Sequence, residues 1–150
     1  SCPAAARALV ARRMAGDWSY CPGARRTDKE APMARTPQEA FETHLASLGT
    51  GDLDLIAADY ADDCIQICNS QIRRGKDGVK EGFAALLAEL AAAGEIKGLE
   101  VPVRVYEDNV LYIEWWADLG DMRADGDDTF IFEDGLITVQ TIHYTISKAN

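Results

Sequence analysis

Residues Pro37–Phe83, PQEAFETHLASLGTGDLDLIAADYADDCIQICNSQIRRGKDGVKEGF, decide the fold. Thr36-Pro37 ahead of Glu39 is a helix start: a hydroxyl cap, proline at the first helical position and an acid in the first turn. Phe41, Leu45 and Leu48 then recur at helical spacing as one apolar stripe, ended by Gly49 and Gly51. Asp52 can cap a second helix, in which Leu55, Ile56 and Tyr60 face inward until Ala61-Asp62-Asp63 closes it. Cys64–Cys68 reads as a short strand, with Ile65 and Ile67 on one face and Cys64, Gln66 and Cys68 on the other. Gly75 bends the chain, and Asp77 caps a third helix with Val79, Phe83, Leu86, Leu87 and Leu90 on its buried side. Gly94 is its stop.

Beyond Gly94 the hydrophobic period changes from helical to two. Val101, Val103 and Val105 alternate with Pro102 and Arg104. Asp108-Asn109 supplies a turn, and Val110–Ala117 forms the next strand. Asp127–Phe132, an Asp134-Gly135 turn and Leu136–Ile146 complete a hairpin. Helices first and antiparallel strands afterwards describe an α+β fold, not a parallel doubly wound sheet.

At 150 residues the chain fits one domain large enough to bury a core or a lined cavity. Its formal charge of -10 disfavours nucleic acid and an anionic membrane surface, both of which call for lysine and arginine. Residues 1–32 carry six cations against three carboxylates, net +3, which leaves -13 for the remainder. That break, with Pro22-Gly23 and Pro32 nearby, sets a boundary near Met33. Segment 1–32 is expected to be a disordered tail, a non-native upstream stretch or a docking arm, and 33–150 the folded domain. The apolar run Ala4–Ala11 is too short and too charged for a signal sequence, and no run reaches transmembrane length. Cys64 and Cys68, four apart on a strand, lie about 13 Å apart, too far for a disulfide. No cysteine or histidine spacing suits zinc. A reducing cytoplasm is the expected location.

The order of elements, together with the run ADGDDTFIFEDGLITVQTIHYTI at 124–146, resembles the nuclear transport factor 2-like superfamily. That group includes ketosteroid isomerases, SnoaL-type cyclases and limonene epoxide hydrolases. The resemblance covers Pro37 to Ile146. It implies a cone: a curved antiparallel sheet wrapped around three N-terminal helices, enclosing a pocket. Gly51-Asp52-Leu53-Asp54 and Ala61-Asp62-Asp63 match the isomerase pattern without a gap. On that register the isomerase's oxyanion-hole tyrosine falls on His44, its base aspartate on Cys68, and its second oxyanion-hole group on Asp128 of Asp128-Thr129-Phe130. A thiol with an ordinary pKa near ~8.5 is a poor substitute for a carboxylate base at pH 7. Steroid isomerisation by the family mechanism is therefore not expected.

Asp128 and His44 are the candidate catalytic pair. Asp128, Phe130 and Phe132 share a strand face, and an apolar wall would raise the carboxyl's pKa; a solvated rim position is the other reading. His44 borders the buried stripe, as a general acid or base or as a hydrogen-bonding residue where helix meets sheet. Cys68, Trp115, Phe130, Gln140 and Tyr144 are candidate substrate contacts. For Cys68 the alternative is a small buried hydrophobe, and for Tyr144 a core tyrosine with a satisfied hydroxyl. The same register puts Trp115 inward, and Trp116 and His143 on the back of the sheet, where the superfamily often dimerises. The acidic run Asp118, Asp121, Asp125, Asp127, Asp128 lacks calcium-loop order and reads as a solvated hairpin loop. An epoxide hydrolase would need an Asp-Arg-Asp arrangement, for which Arg104 and Arg123 are the arginines on offer. No cofactor and no metal is called for. The expected protein binds a small apolar molecule without cofactor and pairs as a homodimer through its sheet face. It works as an isomerase, cyclase or hydrolase; the alternative is a non-catalytic carrier or interaction module, marked by aromatic side chains plugging the cavity.

Overall fold

A computed structural model describes residues 33–149. The segment 1–32, expected to be a tail, lies outside the described residues. Helix α1 spans Pro37–Thr50. Thr36 Oγ1 accepts from the Glu39 amide at 3.2 Å, and Glu39 accepts from the Thr36 amide at 2.8 Å, a reciprocal capping box. Its end is Gly51 in the left-handed region at φ 68. Helix α2, Leu53–Ala58, is capped by Asp52 Oδ1, which accepts from the amides of Asp54 and Leu55. Helix α3 spans Gly75–Ala93, beginning two residues before Asp77, and Gly94 ends it.

The strands are β1 Tyr60–Cys68, β2 Gln71–Arg74, β3 Gly98–Glu107, β4 Val110–Asp118, β5 Met122–Glu133 and β6 Leu136–Lys148. They form one curved, unclosed sheet in the order β2-β1-β6-β5-β4-β3. The architecture is the expected α+β cone. One pairing departs from strict antiparallel order, because β1 runs parallel to β6. Phe41 of α1, Ile56 of α2 and Phe83, Leu86 and Leu90 of α3 join the inner sheet residues Leu111, Ile113, Trp115, Phe130 and Ile142 in a single core. Each such large apolar side chain contributes roughly 1.5–3 kcal/mol by leaving water.

Three local expectations are corrected. Helix α2 stops at Ala58, and Tyr60 begins a strand instead of ending a helix; Ala61-Asp62-Asp63 lies inside β1, and Leu55 is half exposed. The cause is tertiary: Asp59 accepts from the Ile137 amide at 2.9 Å and Tyr60 pairs with Ile137, so β6 captures the chain before another helical turn can form. Strand β2 was not foreseen. It returns on β1 through Asn69 and Ser70, both at positive φ (43° and 70°), a conformation that asparagine tolerates well and serine poorly. The acidic run is not a loop either. Asp125, Asp127 and Asp128 belong to β5, and only Leu119–Asp121 turns the chain between β4 and β5.

Candidate functional site

Between helices α1 and α3 and the inner face of the sheet lies a cavity of about 730 Å³. Leu45, Leu48, Leu87, Leu90, Ile113 and Ile142 supply apolar wall, and half-exposed Ile96 and Leu99 mark its open side. The buried polar side chains lining it are His44, Asp128 and Gln140.

Strand alternation brings Asp128 to the inner face, level with Ile113 on β4 and Ile142 on β6. Its Oδ1 accepts from Trp115 Nε1 at 2.8 Å and its Oδ2 from Gln140 Nε2 at 2.8 Å. Burial pushes the carboxyl up to about 7, while the two donors restrain the rise. At neutral pH a substantial fraction is therefore the uncharged acid, with an O–H to donate. The Trp115 contact depends on Gly126, where a Cβ would lie 2.4 Å from the indole Cζ2. The chain of bonds continues outward: Gln140 Oε1 accepts from Gln66 Nε2 at 3.2 Å and from the Tyr60 hydroxyl. Burial, and then the charge of Asp128, hold the Tyr60 phenol well above its ordinary pKa, so it stays a donor.

His44 is fully buried on α1. Its ring stands edge-on to Tyr60 and Phe130, centroids 5.5 and 5.6 Å away, and tilted against Phe83 at 5.9 Å. Neither ring nitrogen has a hydrogen-bond partner among the described residues; Nδ1 lies 3.7 Å from Asp59 Oδ2. The ring thus lines the cavity with both nitrogens buried and neither committed to a protein partner.

His44, Asp128, Trp115, Phe130 and Gln140 thus meet at one cavity. Cys68 and Tyr144 do not. They line a separate polar hollow of about 180 Å³ with Asn69, Arg73 and Glu89. There the Tyr144 hydroxyl donates to the Glu89 carboxylate, and burial raises the Cys68 thiol, keeping it protonated. Of the two arginines, Arg104 lines the main cavity but is held by Glu42 at 2.5 Å, over the Phe41 ring. Arg123 stacks on Trp116 at 4.4 Å. His143 is 67 % exposed.

Asp59, Tyr60 and Gln66 were missed as parts of the site. Gln66 was legible, since an amide on the same strand face as Cys64 and Cys68 must find a buried partner. Asp59 carried no such signal, because a helical reading of 52–60 hides its meeting with His44.

No protein-family model matches the sequence, and no curated protein matches it. Solved structures do resemble it. An NTF2-like protein of unknown function from Burkholderia xenovorans LB400 shares 22% identity at a TM-score of 0.58, over 73% of this chain and 82% of that one. An LEH-like epoxide hydrolase of M. tuberculosis shares 18% at 0.55, over 76% and 86%. The epoxide hydrolase/cyclase-like enzyme SalBIII, of pyran ring formation in the polyether salinomycin, shares 13% at 0.61, over 75% and 95%. The chain has the nuclear transport factor 2-like fold, a scaffold that carries enzymes and proteins of unknown function alike.

Proposed function

We propose that this protein is a cofactor-free acid–base enzyme of the isomerase or cyclase type, acting on an uncharged, mostly apolar molecule in the central cavity. The observation that carries the reading is the facing of His44 and Asp128 onto one apolar space, with Asp128 poised near pH 7. Two titratable groups in unlike surroundings divide the labour of proton transfer. Protonated Asp128 donates to a developing oxyanion on the substrate, and His44 takes the proton from the neighbouring carbon. The water-poor wall strengthens both contacts. Trp115 and Gln140 fix the carboxyl, and Phe130 and the leucines bind the hydrocarbon part. Cys68 and Tyr144, in the second hollow, serve this reading only where a substrate reaches past Trp115.

The plugged cavity that would mark a non-catalytic interaction module is not what the fold holds; an open space of about 730 Å³ suits an enzyme or a ligand carrier, and the exchange assay separates those two. Deuterium exchange next to the carbonyl of a panel of cyclic ketones, followed by NMR, tests proton abstraction without knowledge of the product. Wild type is expected to accelerate exchange of at least one ketone, and Asp128→Asn and His44→Ala to slow it by roughly 10²-fold or more. Equal rates in all three proteins overturn the reading.

We also propose that two copies pair through the outer sheet face, where Ile65, Val139, Ile131 and Val110 stand in one cross-strand row. A reducing cytoplasm suits the unpaired, buried Cys64 and Cys68. Among the described residues no helix is long and apolar enough to cross a membrane.

A further inference from the structure

We infer that Asp59 is the positioning carboxylate for His44, holding the imidazole proton on Nδ1 so that Nε2 is left as the proton acceptor. The inference rests on the acid–base reading and deepens it, because it divides the roles: His44 is the base and Asp128 the acid.

Asp59 sits where α2 gives way to β1, and its backbone is held from both sides. Its amide donates to the Ile56 carbonyl at 3.3 Å, and its carbonyl accepts from the Ile137 amide at 2.9 Å. The side chain is only 7% exposed. One oxygen, Oδ1, has Arg35 Nη1 at 3.8 Å; the other, Oδ2, is buried, has no hydrogen-bond partner among the described residues, and lies 3.7 Å from His44 Nδ1. Two buried and unsatisfied groups of complementary type therefore face each other. At 3.7 Å the contact is electrostatic and too long for a hydrogen bond, a spacing common in sites that tighten only when substrate is bound. Burial raises the Asp59 carboxyl, but His44, Ser47 and Arg35 outweigh it and leave the group below its ordinary pKa, hence ionised.

An ionised oxygen beside Nδ1 favours the N–H there, and the tautomer of a neutral histidine follows the partner of one nitrogen. The other nitrogen, Nε2, is then bare: it is buried and has no hydrogen-bond partner among the described residues, in a ring packed against Tyr60, Phe83 and Phe130. When Nε2 takes a proton from substrate, the imidazolium is stabilised by Asp59, and Arg35 balances the carboxylate. The β5–β6 turn packs closely on the Arg35 backbone: Gly135 adopts φ +76, and a Cβ on it would come within 2.8 Å of the Arg35 backbone nitrogen.

The chain has two histidines, His44 and His143, so nitrogen-15 NMR of the full-length protein resolves both rings. At pH 8, His44 is expected to carry its proton on Nδ1, and Asp59→Leu to move it to Nε2 or mix the two forms. If wild-type His44 carries its proton on Nε2, the inference is overturned without any variant. An unchanged tautomer in folded Asp59→Leu overturns it as well. On a ketone that wild type exchanges, Asp59→Leu is expected to lower kcat by about tenfold or more with KM little changed, as for a mispositioned base; an unaltered kcat contradicts the assignment. An Nδ1–H signature in a protein that exchanges no ketone would sink the enzyme reading and leave the Asp59–His44 pair standing.

Discussion

Replacing Asp128 with asparagine should change how stability depends on pH, and by an amount the burial of the carboxyl sets. The group sits at about 7 in the folded protein against an ordinary 3.8. A raised carboxyl pKa means that the folded state keeps its proton longer than the unfolded chain does. Stability is therefore unpenalised below 3.8, falls as pH rises through the interval, and levels off above 7. At 1.36 kcal/mol per pH unit the whole penalty comes to about 4 kcal/mol, of which ~2.5 kcal/mol falls between pH 5 and pH 8. Asparagine has nothing to titrate, so this slope should vanish in the variant. Its amide also sets a donor against Gln140 Nε2, which adds a constant offset, and the slope is therefore the quantity to read. Urea unfolding of both proteins from pH 4.5 to 8.5 gives the comparison. The wild type should lose ~2.5 kcal/mol relative to Asp128→Asn between pH 5 and 8. A flat difference, or one of opposite sign, would refute a buried, proton-holding Asp128.

Three further perturbations test the supports around that carboxyl and the outer face. Gly126→Ala places a methyl 2.4 Å from the Trp115 ring, and should cost about 1–3 kcal/mol in denaturant unfolding and shift the tryptophan emission as the indole leaves Asp128. Tyr60→Phe removes a donor from Gln140 Oε1 but leaves Gln66 Nε2 there, so a loss of about 1–2 kcal/mol is expected at neutral pH, read from the unfolding midpoint. Ile131→Lys puts a charge in the middle of the outer aliphatic row. Sedimentation should show a dimer in wild type and a monomer in the variant, and a monomeric wild type would dismiss the pairing.

How much of this was legible follows from the range of the interactions involved. Thr36, Glu39 and Gly51 act on their own helix, so the limits of α1 could be read directly from residue type. The inward set Trp115, Asp128, Phe130 and Gln140 follows from strand alternation, which is local as well. Tyr60 was misplaced because its hydroxyl is satisfied by Gln140 and its backbone by β6, partners some eighty residues away. Cys68 fell on a functional position by sequence register, yet lies in the second hollow beside Glu89 and Tyr144. A register assigns a place in the chain, whereas the two hollows meet at Leu86, which lines both, and at Trp115 of the main cavity, packed 6.2 Å from the Tyr144 ring, contacts that no local pattern announces. Asp59 was hidden for the same reason, since its meaning depends on where the turn after α2 delivers it.

The most direct test of the central claim is where a small apolar molecule with a single oxygen function binds. Titration of the nitrogen-15-labelled protein with 2-naphthol or 1-tetralone, followed by amide shifts, locates the site. Saturable shifts clustered at His44, Ile113, Asp128, Phe130 and Ile142 are what the account predicts. Shifts confined to the outer face around Ile131 and Trp116, or none that saturate, would contradict it.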